Sequence, residues 1–164
     1  MNSMRRFLLG ALATLTSPFK AQAETKATHP NYDTRDKSMP AEEIIRQYGE
    51  EPLYKSIGPV AAALASRSLF VPTDPGAPAG KLRLRTDVDN QGNMWAYAYT
   101  SAAELSKAFP RGVNHIELAF PVFFNIVADD QRFRGIYLNA GLDSLYPIPR
   151  EVFQAVKEAL PSNN

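Results

Sequence analysis

The chain has 164 residues, with 18 Lys and Arg against 17 Asp and Glu, a formal net charge of +1. It holds no cysteine, which excludes disulfides, thiol nucleophiles and thiolate-bound metals. Nine Phe, seven Tyr and one Trp among 45% hydrophobic residues supply the apolar surface for one domain core.

Residues 1–23 have the pattern of an export signal. Arg5-Arg6 form a positive n-region, Phe7 to Leu15 an apolar stretch, and Ala21-Gln22-Ala23 an A-x-A cleavage site. A bilayer-spanning helix needs about 20 apolar residues. The shorter run here predicts cleavage with no stable membrane anchor, and a periplasmic or secreted product. Arg5-Arg6-Phe7-Leu8-Leu9 also fits a loose twin-arginine pattern, so the general and twin-arginine routes both stay open. Cleavage after Ala23 would remove Arg5, Arg6 and Lys20 and leave 141 residues with 15 basic and 17 acidic side chains, a net charge of −2. Such a balance gives no electrostatic reason to expect nucleic acid or anionic lipid as partner.

Residues 24–38 are polar and charged, and are expected to be a disordered spacer. Met39-Pro40 then opens a predicted helix. Glu42-Glu43 suit its first turn, Ile44, Ile45 and Tyr48 form its apolar stripe, and Gly49 stops it. A second, alanine-rich helix is predicted from Pro59 to Ser66. Ser68 to Thr73 is a predicted strand closed by the loop Asp74 to Gly80. Lys81 to Val88 and Met94 to Thr100 both alternate, with the turn cluster Asp89 to Asn93 between them, and predict a hairpin.

Ser101-Ala102-Ala103-Glu104 matches a capping box, followed by Leu105, Ala108 and Phe109 and ended by Pro110. A strand over His115 to Phe120, a short buried helix over Pro121 to Ala128 and a strand over Arg134 to Asn139 follow. Pro149 opens the last helix, with Val152, Phe153, Val156 and Leu160 at helical spacing. This order predicts a single α/β or α+β domain over 39–164: a mixed sheet of about five strands, a central hairpin, and helices packed on it.

Residues 68–160 resemble the N-terminal domain of the SseB (enhanced serine sensitivity) family. The likeness rests on Leu69-Phe70-Val71-Pro72, on Trp95 to Ser101 with Glu104-Leu105, and on Ile136-Tyr137-Leu138-Asn139-Ala140-Gly141 before a closing helix. Ala140 and Ala98 stand where the family commonly has Pro, and an export signal departs from its usual cytoplasmic or secretion-system setting. The resemblance implies a small α/β interaction domain without established catalytic residues.

The hairpin carries the candidate site. With Asn90 to Gly92 as its loop, Asp89 faces Asn93, Arg85 faces Tyr97 and Arg83 faces Tyr99. One face then holds Leu82, Leu84, Val88, Met94, Ala96 and Ala98. The other holds Arg83, Arg85, Trp95, Tyr97 and Tyr99, a cation–aromatic surface suited to a protein partner. The bland alternative has the N-terminal helices covering those aromatics.

Asn139 to Ser144 suggests either a ligand site at a strand end or a turn. Asp129-Asp130 suggests an acid–base pair or a solvated loop. No G-x-S-x-G or glycine-rich phosphate loop occurs, and His29 and His115 lack ligand spacing. No cofactor or metal is therefore expected. The functional expectation is an exported, non-enzymatic protein-binding module, an accessory of a secretion or conjugation system or a periplasmic toxin neutraliser. Its alternative is a small cofactor-independent periplasmic hydrolase.

Overall fold

In a computed structural model of the chain, residues 39–76 and 83–161 are described. The predicted signal with its Ala21 and Ala23, the spacer, and the start of the first hairpin strand at Lys81 and Leu82 lie outside them. The described residues all belong to one compact unit.

Proline placement sets the first two elements. Pro40 precedes α1 (Ala41–Gly49), which buries Ala41, Ile44, Ile45 and Tyr48 as its stripe predicts. Pro52 precedes α2 (Leu53–Leu64), which starts six residues before the predicted Pro59 and carries Pro59 in its interior. A proline inside a helix costs about 3 kcal/mol. Gly58 has no Cβ to meet the proline ring, and burial of Ile57, Val60 and Leu64, at about 1.5–3 kcal/mol each, outweighs that cost.

Six strands follow the two helices, interleaved with three more. They are β1 (Ser68–Pro72), β2 (Thr86–Val88), β3 (Met94–Ala98), α3 (Ala102–Ala108), β4 (His115–Ala119), α4 (Phe120–Asp129), β5 (Phe133–Leu138), β6 (Tyr146–Pro149) and α5 (Phe153–Ala159). A single 3-10 turn, Arg150–Val152, joins β6 to α5. The predicted last helix therefore begins later than Pro149. Residues 146–149 form a short strand instead, with Tyr146 and Ile148 buried and Pro147 and Pro149 turned outward, as prolines require of an edge strand.

The larger sheet has the order β2-β3-β5-β6, with β3 and β5 parallel and the other pairs antiparallel. β1 and β4 form an antiparallel pair beside it. The fold is thus mixed α/β, as predicted, with one strand more than expected.

A junction ties the two sheets together. Phe70 and Tyr99 exchange both backbone bonds, at 2.8 and 2.9 Å. Arg85 N donates to Pro72 O, and Asp74 N to Arg83 O, both at 2.9 Å. The hairpin register agrees with the sequence reading: Thr86 faces Ala96, Val88 faces Met94, and Asp89 N meets Asn93 O at 3.0 Å. Its reach does not. β2 is only three residues long, because β1 takes over the backbone groups of residues 83–85.

Ala96, Ala98, Ile136, Leu138, Tyr146 and Ile148 present one face of the larger sheet to the core. Ile44 and Ile45 of α1, Ile57, Val60 and Leu64 of α2, the phenylalanines of α4, and Phe153 and Val156 of α5 complete that core.

Candidate protein-binding face

The pleat that buries Ala96 and Ala98 turns Trp95 and Tyr97 to the opposite face, half-buried. Cross-strand register puts Gly135 beside Trp95 and Tyr137 beside Tyr97. The Trp95 ring leans over the bare Gly135 backbone: a Cβ on Gly135 would lie 2.4 Å from that ring. The indole thereby reaches Tyr137 and stacks on it, with centroids 4.3 Å apart and planes at 17°. Tyr97 stacks on the same tyrosine at 6.3 Å and 27°. Three aromatic side chains thus form one ladder. Tyr137, its central ring, was missed in the sequence, although the alternation of 134–139 already puts it on the face opposite Ile136 and Leu138.

The hairpin loop holds this ladder in place. Gly92 takes φ 82°, and its N–H donates to Asp89 O at 2.9 Å. Such a three-residue loop needs a left-handed residue, and glycine fills the position without strain. The Asp89 carboxylate accepts from Gln91 N, Asn93 N and Asn93 Nδ2 within 3.2 Å, and from Trp95 Nε1 at 3.2 Å. The Asn93 side chain above all holds its pKa down at about 2. Asp89 therefore stays anionic while clamping the indole. Burial, and after it the Asp87 carboxylate, push the Tyr97 phenol well above its ordinary range, so it remains a neutral donor.

The arginines of the sequence reading do not join this ladder. Arg83 pairs with Asp74 at 3.3 Å and does not face Tyr99. Arg85 lies over the Phe109 ring, 5.1 Å from its centroid. Tyr99 is 2% exposed; it meets Phe109 edge-on at 5.7 Å and donates its hydroxyl to Ala140 O at 3.1 Å. Tyr99 is thus a core residue, which corrects its place in the predicted surface. The reason is the junction, where Phe70 of β1 replaces the hairpin as its cross-strand partner. α1 and α2 build the core on the far side of the sheet, so they are not what half-buries Trp95 and Tyr97.

The other candidate residues are spent on architecture. Asn139 takes φ 52° and is fully buried. Its Oδ1 accepts from Thr100 N at 2.9 Å and Thr100 Oγ1 at 3.1 Å, and Leu142 N donates to Asn139 O at 3.2 Å, so the Asn139 to Ser144 segment is a turn. Ser101 caps α3 by accepting from Glu104 N at 3.2 Å. The reciprocal half of the predicted capping box is absent from the described hydrogen bonds: Glu104 accepts instead from Ser144 Oγ and Lys107 Nζ, both at 2.5 Å. Burial opposes ionisation of Glu104, but Lys107 and Ser144 outweigh it and hold the carboxyl below its usual range. Asp130 is clamped by Arg132, which lowers its pKa to about 2. A carboxylate so firmly ionised is unsuited to proton transfer. His115 turns Nδ1 to Val113 O at 3.1 Å and packs its ring against Phe70.

Among the described residues no group of three or more His, Asp or Glu could hold a metal ion, and no helix is long and apolar enough to cross a membrane. No curated protein and no solved structure matches the chain. The model of the SseB protein N-terminal domain matches residues 42–155, more than two thirds of the sequence and every element from α1 to the start of α5; the chain belongs to that family.

Proposed function

We propose that this protein is an exported, non-enzymatic binding module that holds a protein partner on the outer face of β3 and β5. The partner belongs to a secretion or conjugation apparatus, or is a toxin neutralised in the periplasm. The observation that supports this reading is the Trp95–Tyr137–Tyr97 ladder, which stands on the sheet face turned away from the core. Large amphipathic rings already fixed in position lose little side-chain entropy on binding, which is why aromatic residues are enriched at interface cores.

A hydrolase built on histidine requires a serine or acid beside that histidine. His115 is turned to a backbone carbonyl and Phe70, and the Ser144 hydroxyl is bound to Glu104. Those contacts leave the binding reading as the better supported one.

The test is a crosslinked pulldown of the tagged protein from its native host. Replacement of Tyr97 and Tyr137 by alanine is expected to lower recovery of a specific partner at least tenfold while the circular dichroism spectrum stays unchanged. Equal recovery by a folded double variant would overturn the reading.

A further inference from the structure

The sequence suggests a cationic rim around the aromatic face, and the folded chain sets two carboxylates against it as well. Arg83 is drawn to Asp74 and Arg85 to Phe109. The acidic charges beside the ladder on its β2 side are Asp87, directly across from Trp95, and Asp89, bonded to the indole N–H, while the Arg85 charge is turned toward Phe109. The ring faces therefore stand next to two carboxylates whose charges no described arginine or lysine pairs.

Aromatic faces and carboxylates have one ligand chemistry in common, a cation. A ring face attracts it through the quadrupole. A carboxylate beside the rings adds its charge to the same attraction. Arginine fits better than lysine, because its planar guanidinium stacks flat on a ring while its N–H fork meets a carboxylate.

We propose that the Trp95–Tyr137–Tyr97 ladder, with Asp87 and Asp89 at its rim, receives an arginine side chain from an extended basic segment of the partner. This inference rests on the proposed function and adds the chemistry of the partner. Asp89 stays ionised down to about pH 2, so its part in the attraction persists through mildly acidic conditions.

Trp95 is the only tryptophan in the chain, so its emission reports on this face alone. The experiment titrates the purified full chain with acetylated tetra-arginine, tetra-lysine and tetra-glutamate amides at low salt. Saturable change with tetra-arginine is expected, weaker binding of tetra-lysine, and none of tetra-glutamate. Asp87→Asn should weaken tetra-arginine binding roughly twofold to fivefold and flatten its salt dependence. No response to tetra-arginine, a tetra-glutamate response as strong, or an unchanged affinity in Asp87→Asn would overturn the proposal. The pulldown with the Tyr97 and Tyr137 variants separates the two claims. If those variants lose the partner while tetra-arginine does not bind, the face is real and the arginine chemistry is wrong.

Discussion

Gly135 is defined by what surrounds it. A Cβ there would lie 2.4 Å from the Trp95 ring, 2.6 Å from Ile148 O and 2.9 Å from the Pro149 Cα. Two of those three neighbours are backbone and cannot swing aside. Gly135→Ala is therefore expected to cost about 1–3 kcal/mol, the range for overpacked sites, and to shift Trp95 emission as the indole leaves Tyr137. Urea denaturation with fluorescence readout checks both, and a variant as stable as the parent would contradict the packing. The same neighbourhood shows what was legible at this scale. Alternation alone places Trp95 and Tyr97 on one face. It cannot supply Tyr137, because the parallel pairing of β3 with β5 joins residues forty positions apart. Nor does it reveal that Tyr99 is core, since that depends on Phe70 arriving from β1.

Arg150 shows how one side chain can hold several elements. From the turn between β6 and α5 its guanidinium donates to Phe133 O at 2.6 Å, Asp130 O at 2.6 Å, and Val127 O and Ala128 O at 3.1 Å. Val127 and Ala128 carry carbonyls of the last turn of α4, which lack helical partners, so the arginine caps α4 from a distance. Its guanidinium also lies over the Phe153 ring, 5.1 Å from the centroid. Arg150→Met keeps the stem and removes the donors. Charged hydrogen bonds contribute about 1.5–3 kcal/mol, and a loss of that size is expected in the chemical denaturation midpoint. Arg132→Met, which breaks the solvent-exposed pair with Asp130, should move the midpoint far less, because water screens that pair. Equal effects would contradict the capping role. Most elements are legible where period and proline agree: α1, β3, α4 and β5 fall within two residues of their predicted bounds. α2 and β6 are less so. Pro59 resembles a helix start when it is a tolerated interior residue, and four residues with two prolines are too few to show alternation.

At the scale of the whole chain, the family match opens at residue 42, whereas the sequence resemblance begins at residue 68. Packing explains the difference. Ile44, Ile45, Ile57, Val60 and Leu64 share one core with β3 and β5, so α1 and α2 are part of the domain and not a preface to it. These helices fill one side of the sheet and leave the Trp95–Tyr137–Tyr97 ladder on the other, where its acidic rim defines the kind of partner it can hold. The claim that this outer face is the binding surface is tested most directly by a photocrosslinking amino acid placed at Tyr97 in the native host. Tyr54 on α2, 61% exposed, serves as the control position. Irradiation is expected to trap one discrete protein from position 97, Tyr137→Ala to abolish the adduct, and position 54 to trap none. The same adduct from position 54, or an adduct at 97 that survives Tyr137→Ala, would contradict it.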